Sequence, residues 1–323
     1  MWQPSATIET LKARADFIAQ IRLFFAQRQV MEVETPALSQ ATVTDIHLQS
    51  FATELAANVS SSSHQQALYL QTSPEFSMKR LLAAGSGPIY QICKAFRNEE
   101  QGRFHNPEFT MLEWYRPGFD HRQLMTEIDE LMQRLLATKP AQVMTYQQAF
   151  METLNIDPLT SSCDGLKQVI SKHQLMADWL ENETDEDTLL QFIFNSLIEP
   201  VIGQDRPCFV YHFPASQAAL AKLDPEDNRV ARRFELYYRN MELANGFDEL
   251  TDANEQKQRF EQDNCQRQAR NLATRPIDKR LLAALQQGLP DCAGVAIGID
   301  RLLMLKLDKS HINQVLSFDL SRC

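Results

Sequence analysis

The sequence predicts an α+β fold, a largely antiparallel sheet flanked by helices, on two observations. Segments of strand composition cluster over residues 30–34, 48–70 and 89–115 and return at Cys208–Phe213 and Phe234–Leu243. One helical excursion, Gln142–Val201, breaks the cluster, so strands and helices are segregated rather than alternating as they would in a parallel α/β sheet.

From Ile8 to Gln29, Ile8, Leu11, Ala15, Ile18, Ile21 and Phe25 recur at helical spacing among Lys12, Arg14 and Arg22, which predicts an amphipathic helix. Val30–Glu34 then alternates and stops at Pro36, reading as a strand with one wet face. Leu48–Leu55 and Ala67–Leu70 read as two strands joined by the polar tip Asn58–Gln66, expected to be mobile. Ile128–Leu136, Tyr146–Leu154 and Thr188–Ile198 have helical patterns, and Glu181–Asp187 reads as an acidic surface turn. Thr251–Asn271 is a polar helix capped by Thr251 or Asp252, and Val295–Leu307 closes the core.

With 323 residues, 44% of them hydrophobic, the chain can fill a substantial core. Its net charge of −10, with no basic run, argues against general nucleic-acid coating while leaving room for a local basic site. No apolar stretch reaches the roughly 20 residues of a membrane span, and residues 1–8 lack the pattern of a signal peptide, so the expectation is a cytoplasmic protein that makes no membrane contact. The six cysteines lie far apart without a C-x-x-C pair and read as reduced structural thiols. The sequence contains no P-loop, dinucleotide-binding glycine motif, H-E-x-x-H or G-x-S-x-G, and its seven histidines show no metal-ligand spacing.

Ile89–Tyr115 reads as a strand, a polar loop holding Arg97, Arg103 and His105, and a second strand. Alternation puts Phe109, Met111, Glu113 and Tyr115 on one face and Thr110, Leu112 and Trp114 on the other. A ring, a carboxylate and a phenol on one surface make either a half-exposed sheet face or a binding surface, and the neighbouring Arg97 and Glu99 favour binding. Glu242 and Glu249 flank an expected turn at Asn245–Gly246 and could hold a hard divalent cation. In GVAIGIDRLLMLKL, Gly294 and Gly298 permit close backbone approach and Arg301 begins a helix, which suits either a phosphate or simple packing.

Taken together, helix plus VMEVETPAL, FRNEEQGRFHNPEFTMLEWY and GVAIGIDRLLML resemble the three signature motifs of class II aminoacyl-tRNA synthetases. TSPEFSMKRLL, ELANGFDEL and GIDRLLML bring the resemblance closest to the lysyl-tRNA synthetase subgroup, over residues 10–307. The resemblance begins at the catalytic core, with no room before Ile8 for an anticodon-binding barrel. It therefore implies a single catalytic domain over residues 1–323 with a helical insertion at about 142–201, similar to shortened paralogues that ligate (R)-β-lysine to a lysine of translation elongation factor P.

What the resemblance implies is an antiparallel sheet with ATP bent across it and Mg²⁺ beside the phosphates. By motif position, Arg97, Asn98, Glu99, Asn106, Phe109, Glu242, Leu243, Gly298 and Arg301 would bind ATP: Arg97 on the α-phosphate, Glu99 and Asn106 at the adenine, Phe109 stacked on the base, and Arg301 over the phosphates. Glu242 and Glu249 would hold the metal, with Glu249 also touching substrate. Ser73, Glu75, Glu113, Tyr115 and Ala296 would line the amino-acid pocket, Glu75 on the backbone-side amine and Glu113 with Tyr115 on the distal ammonium. The first motif implies a homodimer. Lysyl enzymes typically read A-P-E-L-Y where this chain has Ser73–Ser77, and G-L-G-I-G where it has Ala296 in the middle position. These changes point away from ordinary α-lysine, and the acceptor is expected to be a protein rather than tRNA. Two other readings are a stand-alone lysyl-tRNA synthetase-like enzyme acting on tRNA or a small molecule, and a non-catalytic regulatory paralogue. The presence of Arg97, Glu99, Glu242, Glu249 and Arg301 counts against the second of these.

Overall fold

The computed structural model describes residues 2–55, 66–98 and 101–323. These form two compact units, Met1–Asp120 with Leu250–Cys323, and His121–Glu249. The first unit opens with α1 (Ile8–Ala26), β1 (Met31–Glu32), β2 (Leu38–Ser39), β3 (Ala52–Leu55), β4 (Gln66–Leu70), α2 (Glu75–Ala83), β5 (Ile89–Phe96) and β6 (Glu108–Pro117). The second holds α3 (His121–Leu136), β7 (Gln142–Thr145), α4 (Tyr146–Leu154), α5 (Cys163–Lys172), α6 (Asp178–Glu181), α7 (Glu186–Ile193), β8 (Cys208–Pro214), β9 (Val230–Tyr237) and β10 (Glu242–Asp248). The chain then returns to the first unit with α8 (Ala253–Ala269), α9 (Lys279–Gly288), β11 (Cys292–Gly298) and α10 (Ile299–Lys306).

In the first unit the strands run β1-β5-β6-β11. Only β1 lies parallel to its neighbour, β5. β6 is the central strand, paired with β5 from Glu108 to Tyr115 and with β11 from Met111 to Pro117. Residues 110–115 are buried on both faces. The alternation read from sequence holds: even positions meet α1, where Phe25 stacks on Tyr90 at 4.4 Å and meets Trp114 edge-on at 5.2 Å. Thr7 caps α1 by accepting from the Thr10 amide at 3.2 Å. β2, β4 and β3 form a separate small sheet. The strand expected from Leu48 starts only at Ala52, Gln49 instead making an isolated bridge to Asn98. Of the expected hairpin tip, all but Gln66 lies outside the described residues.

In the second unit the order is β10-β9-β8-β7, antiparallel except where β7 runs beside β8. The excursion over Gln142–Val201 opens with a strand, β7, before α4 to α7 and a π-turn at Phe194–Ile198. The limits of α4 are set locally, by a Thr145–Gln148 capping box at one end and Asn155 in the left-handed region (φ 57°) at the other. Its Tyr146 ring stacks on Phe194 at 5.3 Å and touches Phe213 at 4.9 Å, in a core with Leu166, Ile170, Leu189 and Ile193. The acidic stretch 181–187 is divided: Glu181 ends α6, while Asp185 caps α7 and Glu186 and Asp187 sit in its first turn, where the helix dipole favours them. Asp252 is the cap of α8.

One expected turn is misplaced. Asn245 and Gly246 lie inside β10, and the hairpin turn falls at Tyr238–Met241. There Arg239 (φ 51°) and Asn240 (φ 60°) both take the left-handed conformation that a two-residue hairpin of the favoured twist requires. Glu242 therefore begins a strand rather than ending one. None of the six cysteines forms a disulfide. No helix among the described residues is long and apolar enough to cross a membrane.

Candidate active site

Four predicted residues of the first unit gather on the odd face of β6 and the start of α2. Glu113 is buried and accepts hydrogen bonds from Ser73 Oγ at 2.6 Å and from Tyr115 Oη at 2.7 Å. Ser73 Oγ also accepts the Glu75 amide at 3.0 Å, so one hydroxyl ties the start of α2 to β6. Glu75 sits in the first turn of α2, and Lys79, one turn on and buried, places Nζ 2.6 Å from Glu75 Oε1. Burial above all, and then the Glu75 charge, push the Glu113 carboxyl up to about 8, against the pull of the two hydroxyls and Lys79. Ala296 lies directly opposite Glu113 on β11, and Gln91 opposite it on β5. Burial and Glu113 raise the nearby Cys93 thiol to about 12, so it is no nucleophile at neutral pH.

Phe109 shares this face four residues away, roughly 13 Å along a strand. Arg97 follows β5, donates its backbone N–H to Pro107 O at 2.9 Å, and places its guanidinium 5.2 Å from the Phe109 ring centroid. Asn98 is exposed, its amide bonded to Gln49 O at 2.8 Å. Asn106 spans two backbones, donating to Glu108 O at 2.7 Å and accepting from the Leu320 amide at 3.4 Å. Glu99 lies outside the described residues. On α10, Arg301 donates to Phe104 O at 3.2 Å and places Nη2 2.7 Å from His105 Nε2, so the β5–β6 loop holds it. Gly298 caps α10 with an ordinary φ of −76°, and a Cβ there would meet only the Arg301 side chain, at 3.8 Å. A ligand can therefore approach the backbone at that point.

Glu242, Leu243 and Glu249 belong to the second unit. The β9–β10 register shifts between Glu242 and Ala244, which makes Leu243 the extra residue of a bulge. That shift puts Glu242, opposite Tyr237, on the same face as Asn245, opposite Glu235, despite their odd spacing. Leu243 itself is buried, leaving its backbone as the part a nucleotide could meet. Glu249 is buried just past the strand and bridges to Ala221. Glu235 accepts from Arg233, from Tyr237 and from Asn245 Nδ2. Burial, countered by Arg233 and reinforced by Glu242, pushes the Glu235 carboxyl up. Among the described residues, Asn245 Oδ1 and Arg233 Nε are buried without a hydrogen-bond partner. Glu242 and the orphaned Asn245 Oδ1 on this face are oxygen donors of the kind that would suit a hard divalent cation such as magnesium. No set of three His, Cys, Asp or Glu among the described residues forms an all-protein metal site.

A family model for class II tRNA synthetases (D, K and N) matches residues 3–322. The chain belongs to that family. Curated relatives of almost the same length carry the name elongation factor P--(R)-beta-lysine ligase. One from Pseudoalteromonas translucida is 61% identical over 100% of this chain and 98% of its own, and one from Vibrio atlanticus is 59% identical over 99% and 98%. A third, from Klebsiella pneumoniae, is 56% identical over 99% and 98%. Class II synthetases use ATP to activate a carboxylate.

Lys79 and His105 are parts of this site that motif position did not assign. The signal for Lys79 was present: a Glu four residues before a Lys is the favoured helical ion pair, and Glu75–Lys79 has that spacing. Arg97→Ala and Arg301→Ala are each expected to lower the rate of amino-acid-dependent ATP–pyrophosphate exchange by roughly 10²-fold, the usual loss when one preorganised charge stabiliser is removed. Circular dichroism should show both variants folded. An unchanged exchange rate would remove that arginine from the phosphate site.

Proposed function

We propose that the protein activates (R)-β-lysine with ATP and transfers the aminoacyl group to the side-chain amine of a lysine on elongation factor P. The observation that carries this reading is the pair of carboxylates, Glu75 and Glu113, held at one end of β6 with the Arg97–Phe109 pair further along the same face. Two acids in a slot suit an amino acid with two ammonium groups, and the names borne by the relatives give the amino acid and the acceptor.

In the first step the substrate carboxylate attacks the α-phosphorus, a new P–O bond forms, and the bond to the pyrophosphate oxygen breaks. Arg97 and Arg301 stabilise the charge that develops, Phe109 lies against the base, and Asn98, Glu99, Asn106 and the backbone of Gly298 bind the rest of the nucleotide. Glu242 and Glu249 would hold magnesium, which neutralises phosphate charge when bound. In the second step the neutral lysine amine attacks the acyl carbon, AMP leaves with the bonding pair of the acyl–oxygen bond, and the amine proton passes to solvent. Positioning and electrostatics do most of the catalysis, and no protein nucleophile is needed. The acceptor is a protein lysine rather than tRNA, and the unpaired cysteines support a cytoplasmic setting.

Specificity for the β-amine rests on Ser73, Ser77 and Ala296. Moving the amine by one carbon in an unadapted pocket leaves a buried charged group badly paired, at about 1–3 kcal/mol or more. That is roughly fivefold to 150-fold or more in kcat/KM. The exchange assay should therefore favour (R)-β-lysine over α-lysine by at least about fivefold. Ala296→Gly, which removes the methyl opposite Glu113, should move the preference back toward α-lysine. A better rate with α-lysine, or an unmoved ratio in the variant, would sink the pocket argument.

The homodimer belongs to the same reading. Ile8 and Leu23 of α1 and Met31 of edge strand β1 are 55%, 50% and 49% exposed, apolar surface of a kind that a second copy would cover. Light scattering at micromolar concentration should give twice the 37.0 kDa chain mass, and a single chain mass would contradict it.

A further inference from the structure

We propose that Lys79 is a positioning residue of the amine pocket: its buried ammonium pairs with Glu75 and leaves Glu113 to carry one proton, which a substrate ammonium displaces on entry. Amino-acid binding then exchanges a proton for an ammonium group. The proposal rests on the reading that a dibasic amino acid occupies this pocket.

The geometry divides the two acids into different states. Glu75 has a fixed cation at 2.6 Å, on its own helix one turn away, with that lysine only 1% exposed. Glu113 has hydroxyl partners, Ser73 and Tyr115, and no charged group in direct contact is needed to satisfy it while it is neutral. The charged and titratable groups bearing on Glu113 are Glu75 and Lys79 from α2, Tyr115 from its own strand and Cys93 from β5. Opposite it, Gln91 and Ala296 carry no charge. Among the described residues, one buried ammonium thus stands against one buried and one partly buried carboxyl, and a proton on Glu113 balances the count. Its carboxyl, pushed up to about 8 by burial and by Glu75, holds that proton at neutral pH.

When a substrate ammonium reaches Glu113, the charged carboxylate becomes the favoured form and its proton leaves to the buffer; no other bond is made or broken. The sign follows. Below about 8 the free protein carries the proton and must lose it to bind, so affinity rises with pH through that range and the number of protons released falls as pH approaches and passes 8. Lys79 pulls Glu113 downward, so removing its charge should move the exchange to higher pH.

Isothermal titration of (R)-β-lysine into the full-length protein, in two buffers of different ionisation enthalpy, counts the protons. A group titrating at about 8 releases about 0.9 proton per ligand at pH 7 and about half a proton at pH 8. Glu113→Gln should bring the count near zero. Lys79→Met should raise the count at pH 8 toward one, and Lys79→Arg should restore the wild-type value, a change that loss of packing alone would not produce. Binding without proton release in the wild type overturns the exchange while leaving the amino-acid reading in place. An unmoved count at pH 8 in a folded Lys79→Met protein overturns the role of Lys79. If (R)-β-lysine does not bind the wild type at all, the amino-acid reading falls, and the proposal with it.

Discussion

Asp300 holds together three parts of the first unit that the sequence keeps far apart. Its carboxylate is buried, one oxygen 2.6 Å from Arg14 Nη1 on α1 and the other accepting the Thr110 amide of β6 at 2.7 Å. The second contact has a simple origin. β11 ends at Gly298, opposite Met111, and the chain turns into α10, so the next amide of β6 has no strand partner on that side. The Asp300 carboxylate takes over the missing carbonyl's role, because a buried amide left unpaired would cost about 1–3 kcal/mol. Arg14 in turn donates to Thr110 Oγ1 at 2.6 Å, closing the triangle. Removing one partner of such a buried pair typically costs about 3–5 kcal/mol. Phe109 lies one residue before this knot and Arg301 one residue after it, so the same contact holds the backbone at both residues proposed for the nucleotide.

The Glu75–Glu113 cluster obeys the opposite rule: its polar groups are satisfied without a full set of counter-charges. Glu113 keeps good hydrogen bonds to two hydroxyls but remains an acid under burial and beside another acid. The Glu235 cluster of the second unit repeats the theme, with Arg233 set against Glu235 and Glu242.

Much of this was legible in the sequence because it is carried by local pattern. Alternation in FTMLEWY placed Glu113 and Tyr115 on one face and Trp114 on the other, and the structure closes the first pair by a hydrogen bond and packs the second against α1. The limits of α4 follow from Thr145 and Asn155 alone. The β9–β10 turn failed because Asn-Gly is a strong hairpin signal that tertiary structure overrode. Arg239 and Asn240 adopted the left-handed pair instead, freeing Asn245 to reach Glu235 from within the strand. The bulge at Leu243, which turns Glu242 to that face, has no local signature. Least visible were the long-range pairs: Arg14 and Asp300 are 286 residues apart, and neither looks unusual in its own segment.

The most direct measurement of the ligase activity is the intact mass of elongation factor P after incubation with the protein, ATP, magnesium and (R)-β-lysine. One added β-lysyl group, absent without ATP and absent when the acceptor lysine is replaced, is the expected result. An unmodified factor under conditions where the enzyme still exchanges pyrophosphate with (R)-β-lysine would contradict transfer to this acceptor.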